Sequence, residues 1–135
     1  MKKPGSRMTF AIGLLAGAVG MSVLGAQQPP SAKRTVLLKQ DMQIPGKEAV
    51  MALSELPPGG AEGRHTHPAE TFVYLLEGTI SYEEEGRPAV THKAGDAFAI
   101  ESGRIHDGKN IGTTPTKAIV FFVAEKGKPL RTDVK

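Results

Sequence analysis

The sequence predicts an all-β domain, a sandwich or barrel of jelly-roll type, on three observations. Glycine (16) and proline (10) make up 26 of the 135 residues, about 19% against roughly 12% in average usage. Short runs of β-formers recur along the chain, each bounded by turn residues. After residue 26 no segment sustains an apolar 3.6-residue period with caps, so nothing reads as a helix. A chain of this length builds one compact domain, and eight or so short strands within it imply two packed sheets or a closed barrel.

The first 26 residues stand apart from that domain. MKKPGSR sets Lys2, Lys3 and Arg7 ahead of the apolar MTFAIGLLAGAVGMSVLGA, and no charge follows until Lys33. That order of a basic segment, an apolar run and small residues at Gly25 and Ala26 is a secretory signal. An uncleaved anchor is the alternative, weakened by Gly13, Gly17 and Gly20 within the run. The expected organisation is a signal peptide over 1–26, a flexible arm over 27–34 (QQPPSAKR), the domain over 35–129 and a C-terminal tail over 130–135. The mature protein is then periplasmic or secreted, with no membrane segment once the signal is removed.

Strands are expected at Thr35 to Lys39, Ala49 to Leu56, Thr71 to Leu76, Thr79 to Glu83, Ala89 to His92, Ala97 to Ile100 and Lys117 to Val123. PPGG at 57–60, EEEGRP at 83–88, KAGD at 93–96 and IGTTP at 111–115 supply the turns between them. The chain has no cysteine, which excludes disulfides, thiol catalysis and zinc-thiolate sites. The formal charge is +3, from 17 bases and 14 acids. Three of those bases lie in the signal and all the acids follow residue 40, so the mature chain balances near zero. A nucleic-acid partner is excluded on that ground.

Chemistry concentrates in GGAEGRHTHPAETFVYLLEG, where His65 and His67 stand one residue apart. In an extended chain residues i and i+2 share a face, so both imidazoles can converge on one ion. His106 follows in GDAFAIESGRIHDGKN. Together these stretches resemble the two motifs of the cupin family. Gly59, five residues, His65-Thr66-His67 and a closing Gly78 follow the first, and Gly95, Gly103, His106 and Asn110 follow the second, with Glu101 where that motif has proline. Sixteen residues separate the motifs, as in small single-domain bacterial cupins. The resemblance implies a double-stranded β-helix, the cupin jelly-roll barrel, with one divalent transition metal (Fe, Mn, Ni, Cu or Zn) held inside by His65, His67 and His106. It also implies a homodimer.

One position departs from the family. Counting back from Gly78, Thr71 occupies the place of the motif's acidic ligand, and Glu70 falls one residue early. Strand parity sets Thr71 on the face of His65 and His67, with Glu70 on the other, unless a bulge after Pro68 turns Glu70 inward. Glu70 and Thr71 are therefore the two candidates for a fourth ligand or its supporting shell. Without a carboxylate the ion keeps its formal +2 charge in an apolar barrel, which favours an anionic small-molecule ligand or an acidic bound water. Tyr82, Phe98 and Phe122 belong to the core, with some lining the cavity, and His92 is expected in solvent. Two functions follow: a metal-dependent enzyme of dioxygenase, isomerase or lyase type on a small oxygenated or carboxylated molecule, or a binding and sensor module with no turnover.

Overall fold

The computed structural model describes residues 30–135; the expected signal and the first three residues of the arm lie outside them. Ten strands account for the order: β1 Lys33–Asp41, β2 Lys47–Leu56, β3 His65–Thr66, β4 Ala69–Glu77, β5 Thr79–Glu84, β6 Val90–Lys93, β7 Ala97–Ile100, β8 His106–Asn110, β9 Thr116–Glu125 and β10 Thr132–Asp133. They form two antiparallel five-stranded sheets, ordered β1-β2-β9-β4-β7 and β10-β3-β8-β5-β6. No helix occurs among the described residues.

Period-two patterning explains the first sheet. Along β4, Ala69, Thr71, Val73 and Leu75 are buried while Glu70, Phe72, Tyr74 and Leu76 face outward. The same alternation runs through β2 and β9, so each strand lays one row of side chains into the core. There Val50, Ala52, Val73, Leu75, Ile80, Ile100, Val120 and Phe122 pack together. Small and branched residues predominate, which leaves room inside. The turn between β4 and β5 requires glycine: Gly78 has φ +85°, and a Cβ on it would approach Thr116 Cγ2 to 2.7 Å.

Three strands escaped the sequence reading. β8 is HDGKN, a poor β sequence by composition, yet it pairs along β5 from Ile80↔Asn110 to Glu84↔His106 and meets β3 at His65↔His106. β3 and β10 are two residues each, too short for periodicity to register. The arm and tail also differ from expectation. β1 begins at Lys33 and pairs Lys33 and Arg34 with β2 of the first sheet, while Ser31 forms a parallel bridge with Ala61, so the described part of the arm is tied into the fold. Within residues 130–135, β10 pairs with β3. His92 is not in solvent: its side chain is 15% exposed and its ring stacks on Phe98 at 4.1 Å and 12°.

Candidate metal centre

His65 and His106 are cross-strand neighbours on β3 and β8, and His67 follows two residues after His65 on the same face. All three are buried, at 0%, 2% and 4% exposure for His65, His67 and His106. Their ring centroids lie 4.2 to 4.9 Å apart, and one ligand nitrogen from each fits within 4.8 Å of the others.

Each ring is oriented by a backbone carbonyl. His65 Nδ1 donates to Gly63 O at 2.6 Å, His67 Nδ1 to Leu130 O at 2.6 Å and His106 Nδ1 to Arg104 O at 2.9 Å. A carbonyl can only accept, so the proton of each neutral imidazole sits on Nδ1 and every Nε2 is a bare lone pair. Burial holds all three below the ordinary histidine pKa, His65 at about 4 and His67 at about 3. They are neutral at pH 7.

The bare nitrogens then face one another: His65 Nε2 lies 3.2 Å from His67 Nε2 and 3.5 Å from Glu62 Oε2. Lone pair against lone pair in a buried site is repulsive unless a cation sits among them. This donor set therefore fits a divalent transition ion, with backbone partners that fix ring and tautomer. Phe122 packs edge-on against His67 at 5.0 Å.

Beside the histidines lies a partly open cavity of about 50 Å³. Its walls include His67, His106, Tyr82 and Phe98, with Arg34, Ser54 and Glu62 adding polar groups to an otherwise mainly apolar lining. Of the expected fourth-ligand candidates, Thr71 is wholly buried and donates to Ala69 O at 3.3 Å, while Glu70 is exposed. The β4 register with β9 is regular from Ala69 to Leu75, so no bulge after Pro68 turns Glu70 inward.

Glu62 escaped the sequence reading and supplies a carboxylate beside the histidines. Its Oε2 accepts from Arg34 Nη2 at 2.8 Å, and its Oε1 from the Ser54 hydroxyl at 2.9 Å. Arg131 lies 3.7 Å away and donates to the Glu62 carbonyl at 2.7 Å. Burial pushes the Glu62 carboxyl up, but Arg34, the Ser54 hydroxyl and His65 together hold it below its ordinary value. Its loop position three residues before His65 follows neither strand nor helix period, so only its closeness to the motif could have flagged it.

Residues 52–122 match the family described as "Cupin domain". Germin-like protein subfamily 2 member 1 of Arabidopsis thaliana is 36% identical over 89 residues, 60% of this chain and 41% of that protein. The chain spans about two fifths of the length of the curated relatives it matches. Among solved structures, a Klebsiella pneumoniae protein with a double-stranded β-helix domain superposes with a TM-score of 0.63 at 19% identity, covering 80% of this chain and 90% of that one, which shows the fold. A predicted oxalate decarboxylase from Thermotoga maritima gives 0.60 at 26%, covering 69% and 80%.

Proposed function

The chain belongs to the cupin family, and from that premise we propose that it is an exported metal-dependent enzyme acting on a small oxygenated or carboxylated molecule. The observation that carries this reading is the convergence of three buried, unprotonated Nε2 atoms on one point beside a cavity. His65, His67 and His106 would hold the ion, one of Fe, Mn, Ni, Cu or Zn. Bound there, it would supply Lewis acidity or, if redox-active, electron transfer, in dioxygenase, isomerase or lyase chemistry.

The rest of the work falls to the chain itself. Backbone carbonyls of Gly63, Leu130 and Arg104 fix the imidazoles, so little reorganisation is needed on binding. Mainly apolar walls around the cavity lower the local dielectric and strengthen polar contacts inside. Glu62, ionised and anchored by Ser54 and Arg34, is placed to accept a hydrogen bond from a hydroxyl or water near His65.

Export follows from residues 1–26, and cell fractionation of the full chain tests it. A homodimer follows from the apolar outer face, where Phe72, Tyr74 and Leu76 are each more than 40% exposed, and from Val36, Leu37 and Leu38 about half exposed on the edge strand β1. Light scattering checks it at micromolar concentration, where a monomer would refute it.

The decisive measurement on function is elemental analysis of the exported protein followed by an oxygen-uptake and product screen on short carboxylic acids. A bound ion with turnover is the expected result. An ion, or none, without turnover assigns the barrel to binding or sensing instead.

A further inference from the structure

The two sheets end, on one side of the barrel, in strands that do not pair with each other. β7 closes the first sheet and β6 the second. The turn 93–96 joins them, held where Gly95 N donates to Leu75 O at 2.7 Å and Lys93 N to Asp96 Oδ2 at 2.8 Å. Beyond that turn no backbone ladder spans the seam among the described residues, so side chains fill it. Four rings run through it from the outside inward: His92, Phe98, Tyr82 and His106. Phe98 stacks on His92 at 4.1 Å, Tyr82 meets Phe98 at 5.0 Å and His106 meets Tyr82 at 5.8 Å between centroids.

Tyr82 and Phe98 are walls of two spaces at once. Inside them lies the partly open cavity beside the histidines, and outside them a groove of about 380 Å³ that His92, Glu84 and Arg87 also line. The two rings are held differently. Tyr82 is 8% exposed and its hydroxyl donates to Glu84 Oε2 at 3.3 Å, with Glu84 paired in turn to Arg87 and Arg104. Phe98 is half-buried against the core and has no polar atom to tether it, so only apolar packing and two ring contacts resist its displacement. From this geometry we propose that the β6–β7 seam is the passage into the cavity and that the Phe98 ring sets its width, admitting narrow or flat small molecules and holding back wider ones. The proposal goes beyond the functional reading above and rests on it only for the metal that reports a molecule's arrival. A passage lined by ring faces offers few partners for a hydrated group, so weakly hydrated molecules cross it at least cost.

The test loads the protein with cobalt(II) and follows its visible absorption in stopped flow as azide, a narrow probe, or imidazole, a wider flat one, reaches the ion. Phe98→Ala removes both ring contacts and should speed imidazole association and dissociation together by about 10- to 100-fold, azide less, with Kd nearly unmoved. His92→Ala leaves the cavity wall intact and removes only the outer stack, so the same rates should rise by about 2- to 10-fold; it decides the question if Phe98→Ala does not fold. Val50→Ala loosens the core on β2 away from the seam and should leave both rates at the wild-type value. Unchanged rates, or spectra that respond to neither probe, in the folded seam variants overturn the passage. A change confined to dissociation overturns it too, because it makes Phe98 a wall that contacts the bound molecule. An acceleration equal for both probes, or shared by Val50→Ala, reports a loosened fold and overturns it as well. A wild type that takes no cobalt refutes the functional reading alone. Carbethoxylation of His106 by diethyl pyrocarbonate in the metal-free proteins, mapped by mass spectrometry, then decides the passage by the same order of rates.

Discussion

His65 and His67 are suited to hold a metal ion because burial keeps them neutral and backbone carbonyls turn their bare nitrogens inward. The same burial makes the metal-free protein acid-sensitive. Unfolded histidines titrate near 6.5, whereas the folded values are about 4 and about 3. Between those limits the unfolded chain binds more protons, so this stability is complete above pH 6.5 and drains away as pH falls toward 4 and below. His65 alone contributes up to about 3 kcal/mol at neutral pH. Melting curves of the metal-free protein should show the steepest loss over that interval, and His65→Gln should flatten it; a melting temperature flat from pH 7 to 4 refutes the account. Substitution tests the ligand set directly. His65→Ala, His67→Ala and His106→Ala should each abolish tight metal binding in a chelator competition, and Glu70→Ala should leave it intact, since Glu70 faces outward. Thr71→Glu should tighten binding by adding a negative charge on the histidine face, while overpacking a wholly buried site by about 1 to 3 kcal/mol. Loss of metal in Glu70→Ala with no gain in Thr71→Glu would instead make Glu70 the ligand.

At the scale of elements, the readable parts were short runs of β-formers bounded by turn residues. β2, β4, β5, β7 and β9 announce themselves that way, β7 (AFAI) and β9 (AIVFFVA) as continuous apolar runs, and parity alone separated Thr71 from Glu70. β8 was invisible because HDGKN has no apolar alternation and is held by pairing with β5, a tertiary effect that local sequence does not encode. Glu62 and Arg34 were missed for a related reason: a loop residue and an edge-strand residue meet 28 positions apart through a single ion pair. His92 looked exposed in a short polar strand, but the β6 edge brings it onto Phe98 of β7. Gly78, by contrast, was marked by the motif, and the structure gives its reason. Gly78→Ala forces a positive φ on a residue with a Cβ and drives that Cβ into Thr116. The expected destabilisation is about 2 to 4 kcal/mol in urea unfolding, and a variant within about 0.5 kcal/mol of wild type would show that the β4–β5 turn relaxes freely.

Across the whole molecule, the three-histidine cluster ties together parts of the chain that are far apart in sequence. His65 and His106 join β3 to β8, while His67 is oriented by the Leu130 carbonyl, 63 residues away. Leu130 also packs on the core, β10 pairs with β3, and Val134 N donates to Arg64 O at 3.0 Å. The segment 130–135 is thus part of the site's support. Because the converging nitrogens exist only in the folded chain, metal binding should couple to folding: at a thousandfold excess over Kd the expected gain is about 4 kcal/mol, each kcal/mol raising the melting temperature by roughly 4 to 8 °C. Truncation after Lys128 removes the carbonyl that holds His67 Nδ1 and the strand that covers β3. Loss of such a supporting partner costs about 10- to 100-fold in metal affinity, so the truncated chain should bind zinc that much more weakly and gain correspondingly less in melting temperature when zinc is added. The two effects must move together, since a truncation that merely loosened the fold would lower the metal-free melting temperature and leave the zinc-induced increment unchanged. An unchanged increment alongside unchanged zinc affinity would show that His67 is held by β3 alone.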